Sequence, residues 1–140
     1  MRVLVFGGTG AMGKYLVDLL AKRGDKVFVT SRQRITTDND NVVYIQGNAH
    51  DRVFLESILF ERYDAIIDFM VYKKEEFEQR YEKLLNSTNH YIFLSSCRVY
   101  SDSASPITED TERILDVCTD EEYLMTDEYA LSKARQENLL

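Results

Sequence analysis

A tyrosine and a lysine four residues apart form a pair that could move a proton. Tyr129 and Lys133 stand at this spacing near the end of the chain, and on a helix two such side chains point to the same side. A nearby ammonium favours the phenolate, so Tyr129 could exchange a proton with a substrate near neutral pH. This spacing also arises often by chance, so the pair needs support from other segments.

A serine pair in a second segment gives that support. Ser95 and Ser96 follow a predicted strand over residues 91–94, which places them at the edge of a parallel sheet where ligands bind. A hydroxyl there could hydrogen-bond a substrate oxygen beside Tyr129. The alternative for the two serines is an ordinary turn at a strand end. A chance origin would then have to hold for this segment, for the Tyr129–Lys133 pair and for the third segment described next.

The third segment is a glycine turn at the start of the chain, between an apolar run and a helical pattern. A Cβ on this turn would hold the backbone away from a phosphate. The first N–H groups of a helix are unpaired donors that carry partial positive charge. The segment therefore predicts a site for a dinucleotide pyrophosphate. Its candidate residues are Gly7, Thr9, Gly10, Ala11, Met12 and Gly13.

The end of the second predicted strand indicates which dinucleotide is preferred. An acidic residue there would bind the ribose hydroxyls of NAD, but this chain has Ser31, Arg32 and Arg34. Either arginine could pair with a 2′-phosphate, which favours NADP and leaves NAD possible. The alternative is that both arginines are simply solvated. Asn48, after the third strand, is the candidate for the adenine edge, and His50 is interpreted as a surface histidine.

Strand and helix patterns alternate along the chain, which predicts an α/β fold. The predicted strands cover residues 3–6, 26–30, 42–45, 65–70 and 91–94. Helices are predicted after the glycine turn, ending at Gly24, and over residues 52–62, 75–85 and 127–140. We expect a three-layer, doubly wound parallel sheet with the first strand at its centre. Together with the glycine turn, this arrangement predicts the NAD(P)-binding Rossmann fold, as a single domain over residues 1–140.

Composition limits the classes of partner. The net charge of −7 disfavours nucleic acid, and no apolar run is as long as a membrane span. We therefore predict no nucleic-acid partner and no membrane association. The 2 cysteines lack the spacing of metal ligands, so we predict no metal site. They suit a reducing compartment, which favours a cytoplasmic location.

The three segments together resemble the extended short-chain dehydrogenase/reductase superfamily, within it the NAD(P)-dependent sugar-nucleotide epimerases and dehydratases. Residues 7–13, 95–100 and 129–133 occur in the order and spacing of that family. The resemblance implies that Ser96 orients the substrate and that Tyr129 is the catalytic acid and base. It implies that Lys133 tunes the tyrosine and also binds the nicotinamide ribose. The implied substrate is a nucleotide-sugar.

The resemblance also implies a homodimer formed by the predicted helices over residues 75–85 and 127–140. Phe77, Tyr81 and Leu84 give the first of these helices an apolar stripe. The alternative is that this stripe packs on the sheet of its own chain, and it could do both.

Some residues depart from the family pattern. Cys97 and Arg98 stand where the dehydratases carry Asp-Glu, which argues against 4,6-dehydration, and residues 68–72 replace the usual His-x-Ala-Ala. The resemblance is thus to a divergent epimerase-like subgroup. Its members continue beyond the Tyr–Lys helix, so we interpret the chain as an N-terminal fragment that binds cofactor without turnover. For the whole protein, the alternative to an enzyme is a non-catalytic sensor or scaffold that binds NADP(H). The intact set of Ser96, Tyr129 and Lys133 favours the enzyme.

Overall fold

A computed structural model describes all residues from 1 to 140 and contains one parallel five-stranded sheet. The strands are β1 (Arg2–Phe6), β2 (Lys26–Ser31), β3 (Val42–Gln46), β4 (Tyr63–Asp68) and β5 (Thr88–Phe93). Their order is β3-β2-β1-β4-β5. β1 is central, as predicted, with parallel neighbours on both sides. The strand order reverses beside β1, and open parallel sheets bind ligands at such a reversal.

The chain divides into two compact units. The first, called the sheet unit, comprises Met1–Met70 and Glu82–Leu94, and the second, called the helical unit, comprises Val71–Tyr81 and Ser95–Leu140. The helices are α1 (Ala11–Lys22), α2 (Arg52–Leu59), α3 (Lys74–Glu78), α4 (Tyr81–Asn86), α5 (Ile114–Val117), α6 (Glu121–Leu124) and α7 (Tyr129–Glu137), with a 3₁₀ turn at Cys97–Val99. None of these helices has both the length and the apolar character that a membrane span requires.

The core of the sheet unit lies on both faces of the sheet, because side chains alternate along each strand. Val3 and Val5 belong to one apolar cluster, which α1 covers. Leu4 and Phe6 belong to the other, which contains side chains of α2 and Leu84 of α4. The predicted three-layer arrangement is therefore confirmed.

The apolar residues Met12, Leu16, Leu19 and Leu20 repeat with helical spacing, but only Leu16 and Leu20 of this set pack against the sheet. Met12 and Leu19 are 59% and 65% exposed, whereas Gly13, Val17 and other small or branched residues face the sheet. Gly13 can face the sheet because the first helical turn approaches the glycine turn so closely that a side chain would not fit there. The helix ends before Gly24, whose φ is +92°, as predicted.

The helix predicted over residues 75–85 is divided in two, α3 and α4. At the end of α3 the N–H of Arg80 donates to the carbonyl of Phe77, three residues back, which tightens the last turn. The Arg80 side chain is buried, pairs with Glu76 at 2.6 Å and lies over the Tyr72 ring at 4.5 Å. The prediction of one continuous helix over residues 75–85 is therefore wrong.

Candidate functional site

The glycine turn after β1 packs too closely for side chains. Gly7 has a φ of +71°, and a Cβ there would lie 3.1 Å from the Cβ of Phe69. A Cβ on Gly13 would lie 2.5 Å from the Cα of Gly8 and 2.6 Å from the carbonyl oxygen of Gly7. Backbone atoms cannot move aside as a flexible side chain can. The turn therefore needs glycine at these positions.

The N-terminus of α1 can bind an anion. Its N-cap, Gly10, supplies no capping side chain, and the first turn contains no acidic residue. The first N–H groups of the helix therefore keep their partial positive charge, which a phosphate would neutralise. Ala11, Met12 and Gly13, the predicted phosphate-binding residues, form this first turn.

A cavity of about 240 Å³ lies at the carboxyl ends of β1, β2, β3 and β4 in the sheet unit. Its lining includes five of the predicted cofactor residues, Gly7, Thr9, Ser31, Arg32 and Asn48. The other predicted residues of the sheet unit, Gly10, Ala11, Met12, Gly13 and Arg34, are not part of this lining. Five lining residues were not predicted, namely Thr30, Gly47, Ala49, His50 and Met70. Thr30, Gly47 and Ala49 are adjacent in sequence to predicted site residues, a signal that could have identified these three.

The loop after β3 holds one wall of this cavity in place. The Asn48 side chain accepts a hydrogen bond from the His50 N–H at 3.1 Å. Asp51 caps α2 by accepting from the Phe54 N–H at 2.8 Å, and a Cβ on Gly47 would enter the ring of Phe54. The loop is therefore fixed by its own contacts.

Asp68, at the end of β4, fixes another wall. This carboxylate is fully buried, and it accepts from the Tyr91 hydroxyl at 2.8 Å and from the Met70 N–H at 2.9 Å. The second bond orients the backbone at Met70, which lines the cavity. Asp68 was not predicted as a site residue. Its place at a strand end, where the family pattern is broken, was the available signal.

The three predicted catalytic residues all lie in the helical unit. Ser96 is the N-cap of the 3₁₀ turn, and its Oγ accepts from the Arg98 N–H at 3.3 Å. Tyr129 begins α7 and is 36% exposed, while Lys133, one turn later, is only 2% exposed. The 3₁₀ turn packs against α7. The structure thus brings the segment that carries Ser96 onto the helix that carries the other two.

An ion pair joins the same two segments. The guanidinium of Arg98 lies 2.6 Å from the Glu128 carboxylate and 5.8 Å from the centre of the Tyr129 ring. Glu128 is the N-cap of α7, where it accepts from the Ala130 N–H at 2.6 Å, and it also accepts from the Tyr123 hydroxyl at 3.2 Å. Arg98 and Glu128 were not predicted as site residues.

The electrostatics around Glu128 follow from these contacts. Burial acts to raise the pKa of Glu128, but the hydrogen bonds from Ala130 and Tyr123 and the charge of Arg98 outweigh it. The pKa of this carboxyl is therefore below its ordinary value. Burial and the negative charge of Glu128 raise the pKa of Tyr123. Glu128 is consequently a carboxylate at neutral pH, and Tyr123 is a neutral donor.

No group of three or more histidine, cysteine or acidic side chains is placed to hold a metal ion. Both cysteines, Cys97 and Cys118, are free thiols.

The sequence pattern of the NAD dependent epimerase/dehydratase family matches residues 3–140. The chain belongs to this family. Among curated proteins, no sequence matches the chain.

Solved structures similar to this chain include several epimerases. Pal from Bacillus thuringiensis has 20% identity and a TM-score of 0.77, over 99% of this chain and 50% of its own. The UDP-Glc/GlcNAc 4-epimerase from Campylobacter jejuni has 16% identity and a TM-score of 0.76, and the match covers 99% of this chain and 47% of the epimerase chain. The Bordetella bronchiseptica enzyme WbmH in complex with NAD+ has 18% identity and a TM-score of 0.74, and the match covers 98% of this chain and 50% of the WbmH chain. At sequence identities this low, the structural similarity shows that this chain shares the fold of these proteins, and nothing more. The chain spans about half the length of these structures.

Proposed function

We propose that residues 1–140 form one NAD(P)-binding domain, the cofactor half of an epimerase/dehydratase-family enzyme that acts on a nucleotide-sugar. The observation that carries this proposal is the packing of the Ser96 turn against the helix of Tyr129 and Lys133. The chain that contains this arrangement also has a glycine turn whose backbone leaves no room for side chains. A sensor or scaffold would have no use for a proton-transfer tyrosine beside a buried lysine.

In this proposal each of the three side chains has a separate task. Tyr129 takes a proton from a substrate hydroxyl and returns it, while Ser96 holds the same oxygen by a hydrogen bond. Lys133, one helical turn after Tyr129, binds the nicotinamide ribose. The bound nicotinamide supplies the hydride chemistry.

We propose that the cavity in the sheet unit binds the adenosine end of a dinucleotide and that NADP is preferred. Arg32 lines this cavity directly after the buried Ser31, and no carboxylate belongs to the lining. A guanidinium without a competing carboxylate suits a 2′-phosphate. Arg34 is exposed and outside the lining, so Arg32 is the better candidate. NAD is the alternative, since the family is named for it.

We further propose a cytoplasmic enzyme that forms a homodimer through residues 75–85 and 127–140. The two free thiols favour the reducing compartment. Phe77 and Leu84 are fully buried in their own chain, whereas Leu85 and Leu140 are 38% and 49% exposed. The apolar side chains available to a partner are therefore the exposed ones at the ends of these segments.

The substitution Tyr129→Phe in the full-length protein tests the proposed chemistry. We expect turnover with nucleotide-sugars to fall roughly a hundredfold or more, because the acid and base is lost. The dissociation constant of the cofactor, measured by calorimetric titration, should stay nearly the same, because the hydroxyl acts on substrate. Tyr15→Phe, at a 76% exposed tyrosine of α1, serves as the control and should retain activity. Normal turnover in Tyr129→Phe would leave the sensor or scaffold as the better account.

A further inference from the structure

The helix that carries Tyr129 and Lys133 is tied to the Ser96 segment at both of its ends. At the C-terminal end, Glu137 accepts a hydrogen bond from the Ser95 hydroxyl. At the N-terminal end, Glu128 binds the guanidinium of Arg98 at 2.6 Å. Ser95 and Arg98 stand on either side of Ser96 in the sequence, so two carboxylates of one helix hold the short segment that contains it.

The tie at the N-terminal end has the more direct connection to the proposed chemistry. One carboxylate, Glu128, caps the helix immediately before Tyr129 and binds Arg98. Arg98 in turn donates its backbone N–H to the Ser96 Oγ and places its guanidinium 5.8 Å from the Tyr129 ring centre. A cation within about 6 Å of an aromatic ring attracts it. Arg98 therefore contacts the Ser96 hydroxyl through its backbone N–H and lies near the Tyr129 ring through the guanidinium that pairs with Glu128.

We propose that Arg98 and Glu128 are positioning residues, whose ion pair sets the placement of the Ser96 hydroxyl relative to the Tyr129 phenol. The inference rests on the proposed function and extends it to two residues outside the Ser–Tyr–Lys set.

The solvent exposure of the Arg98–Glu128 pair separates a role in positioning Ser96 and Tyr129 from a role in stabilising the fold. The Arg98 side chain is 63% exposed and that of Glu128 is 26% exposed. Ion pairs of this kind contribute little to the free energy of unfolding, because water screens them. Loss of the pair should therefore change turnover far more than thermal stability.

The test uses Glu128→Gln and Arg98→Gln in the full-length protein. Glutamine at position 128 keeps an acceptor oxygen for the Ala130 N–H, so the helix start is preserved and the ion pair alone is lost. Each variant should lower kcat about tenfold and leave the KM for cofactor and the melting temperature unchanged. The double variant should lose no more than either single one, because both remove the same interaction. Arg98→Lys should restore most of kcat.

Arg52→Gln is the matched control, since Arg52 is an exposed arginine that pairs with Glu56 at 2.9 Å in the sheet unit. It should leave kcat unchanged. Unchanged kcat in Glu128→Gln and Arg98→Gln would overturn the proposal, as would additive losses in the double variant. A melting temperature that falls together with kcat in these variants would also overturn it.

The ring resonances of Tyr129 in an NMR spectrum give a readout that does not depend on turnover. Arg98→Gln and Glu128→Gln should both shift them, and Arg52→Gln should not. If the unmodified protein has no turnover with nucleotide-sugars, the proposed function fails, and these resonances alone decide about the ion pair. A shift would then support the positioning of Tyr129 by Arg98 and Glu128, and unchanged resonances would overturn it.

Discussion

Arg32 and Arg34 are two residues apart, yet only Arg32 lines the cavity at the strand ends. We expect the 140-residue chain to bind NADP(H) more tightly than NAD(H), because Arg32 can form a charge-assisted hydrogen bond with the 2′-phosphate. Arg32→Glu should erase or reverse this preference. The change in the ratio of dissociation constants should be roughly tenfold to a hundredfold.

Isothermal titration with both cofactors measures this ratio. Arg34→Glu is the control, and it should change the ratio much less, since Arg34 lies outside the cavity lining. Equal affinity of the unmodified chain for NADP(H) and NAD(H) would contradict the argument from Arg32.

Single residues were predictable where local sequence decides their role. The glycines after β1 follow from a spacing that is visible in the sequence, and their tight packing agrees with it. Asp68 was missed because its role depends on Tyr91, 23 residues away, whose hydroxyl reaches it across two paired strands. The Arg98–Glu128 pair likewise joins residues 30 apart. Contacts over such distances arise from packing that local patterns do not encode.

At the scale of elements, the order and type of the strands were predictable, whereas the ends of the last two strands were not. The strand predicted over residues 65–70 is Tyr63–Asp68, and the one predicted over residues 91–94 is Thr88–Phe93. These two strands pair with each other from Tyr63 and Thr88 onward. The neighbour's hydrogen bonds, and not the apolar character of the segment, decide where each strand begins.

A carboxylate of α2 makes the stability of the sheet unit depend on pH. Glu56 accepts hydrogen bonds from Lys83 of α4 and from Arg52 of its own helix. These bonds lower the pKa of Glu56 to about 2 in the folded chain. A carboxyl with a lowered pKa stabilises the fold above its unfolded value of about 4.3, and this stabilisation is lost as the pH falls toward the folded value.

Chemical denaturation of the unmodified chain and of Glu56→Gln between pH 7 and pH 2 checks this dependence. We expect Glu56→Gln to be less stable at pH 7, and the difference in the free energy of unfolding to shrink as the pH falls below about 4.3. Because Glu56 is exposed, added salt should reduce the difference. Glu75→Gln, at an exposed residue of α3, is the control and should show no such trend. A difference that stays constant down to pH 2 would refute the role of Glu56.

For the whole molecule, the proposed dimer can be tested by sedimentation equilibrium. We expect the protein to be a dimer and Leu85→Glu to be a monomer, because Leu85 is an exposed apolar residue of the segment proposed as the interface. Phe60→Glu alters a residue that is 91% exposed and lies outside that segment, so this variant should remain a dimer. A monomer at high concentration of the unmodified protein would refute the proposal.

The overall architecture was predictable because a parallel α/β sheet has a strong signature in sequence. Alternating strands and helices allow few arrangements, and the glycine turn identifies β1 as the central strand. The segment between Ser101 and Glu128 was not predictable in the same way. It contains the short helices α5 and α6, four residues each, which lack the length for a periodic pattern to stand out.

The glycine turn has a consequence for protein engineering. A methyl group at Gly13 would meet backbone atoms of Gly8 and Gly7 within 2.6 Å, so a substitution there would damage the fold and the proposed phosphate cradle together. Stabilising mutations elsewhere could restore the fold of such a variant, but they could not return the lost backbone donors to their places. Arg32 is exposed and free of this constraint. Redesign of the cofactor preference should therefore start at the end of β2, with the turn after β1 left untouched.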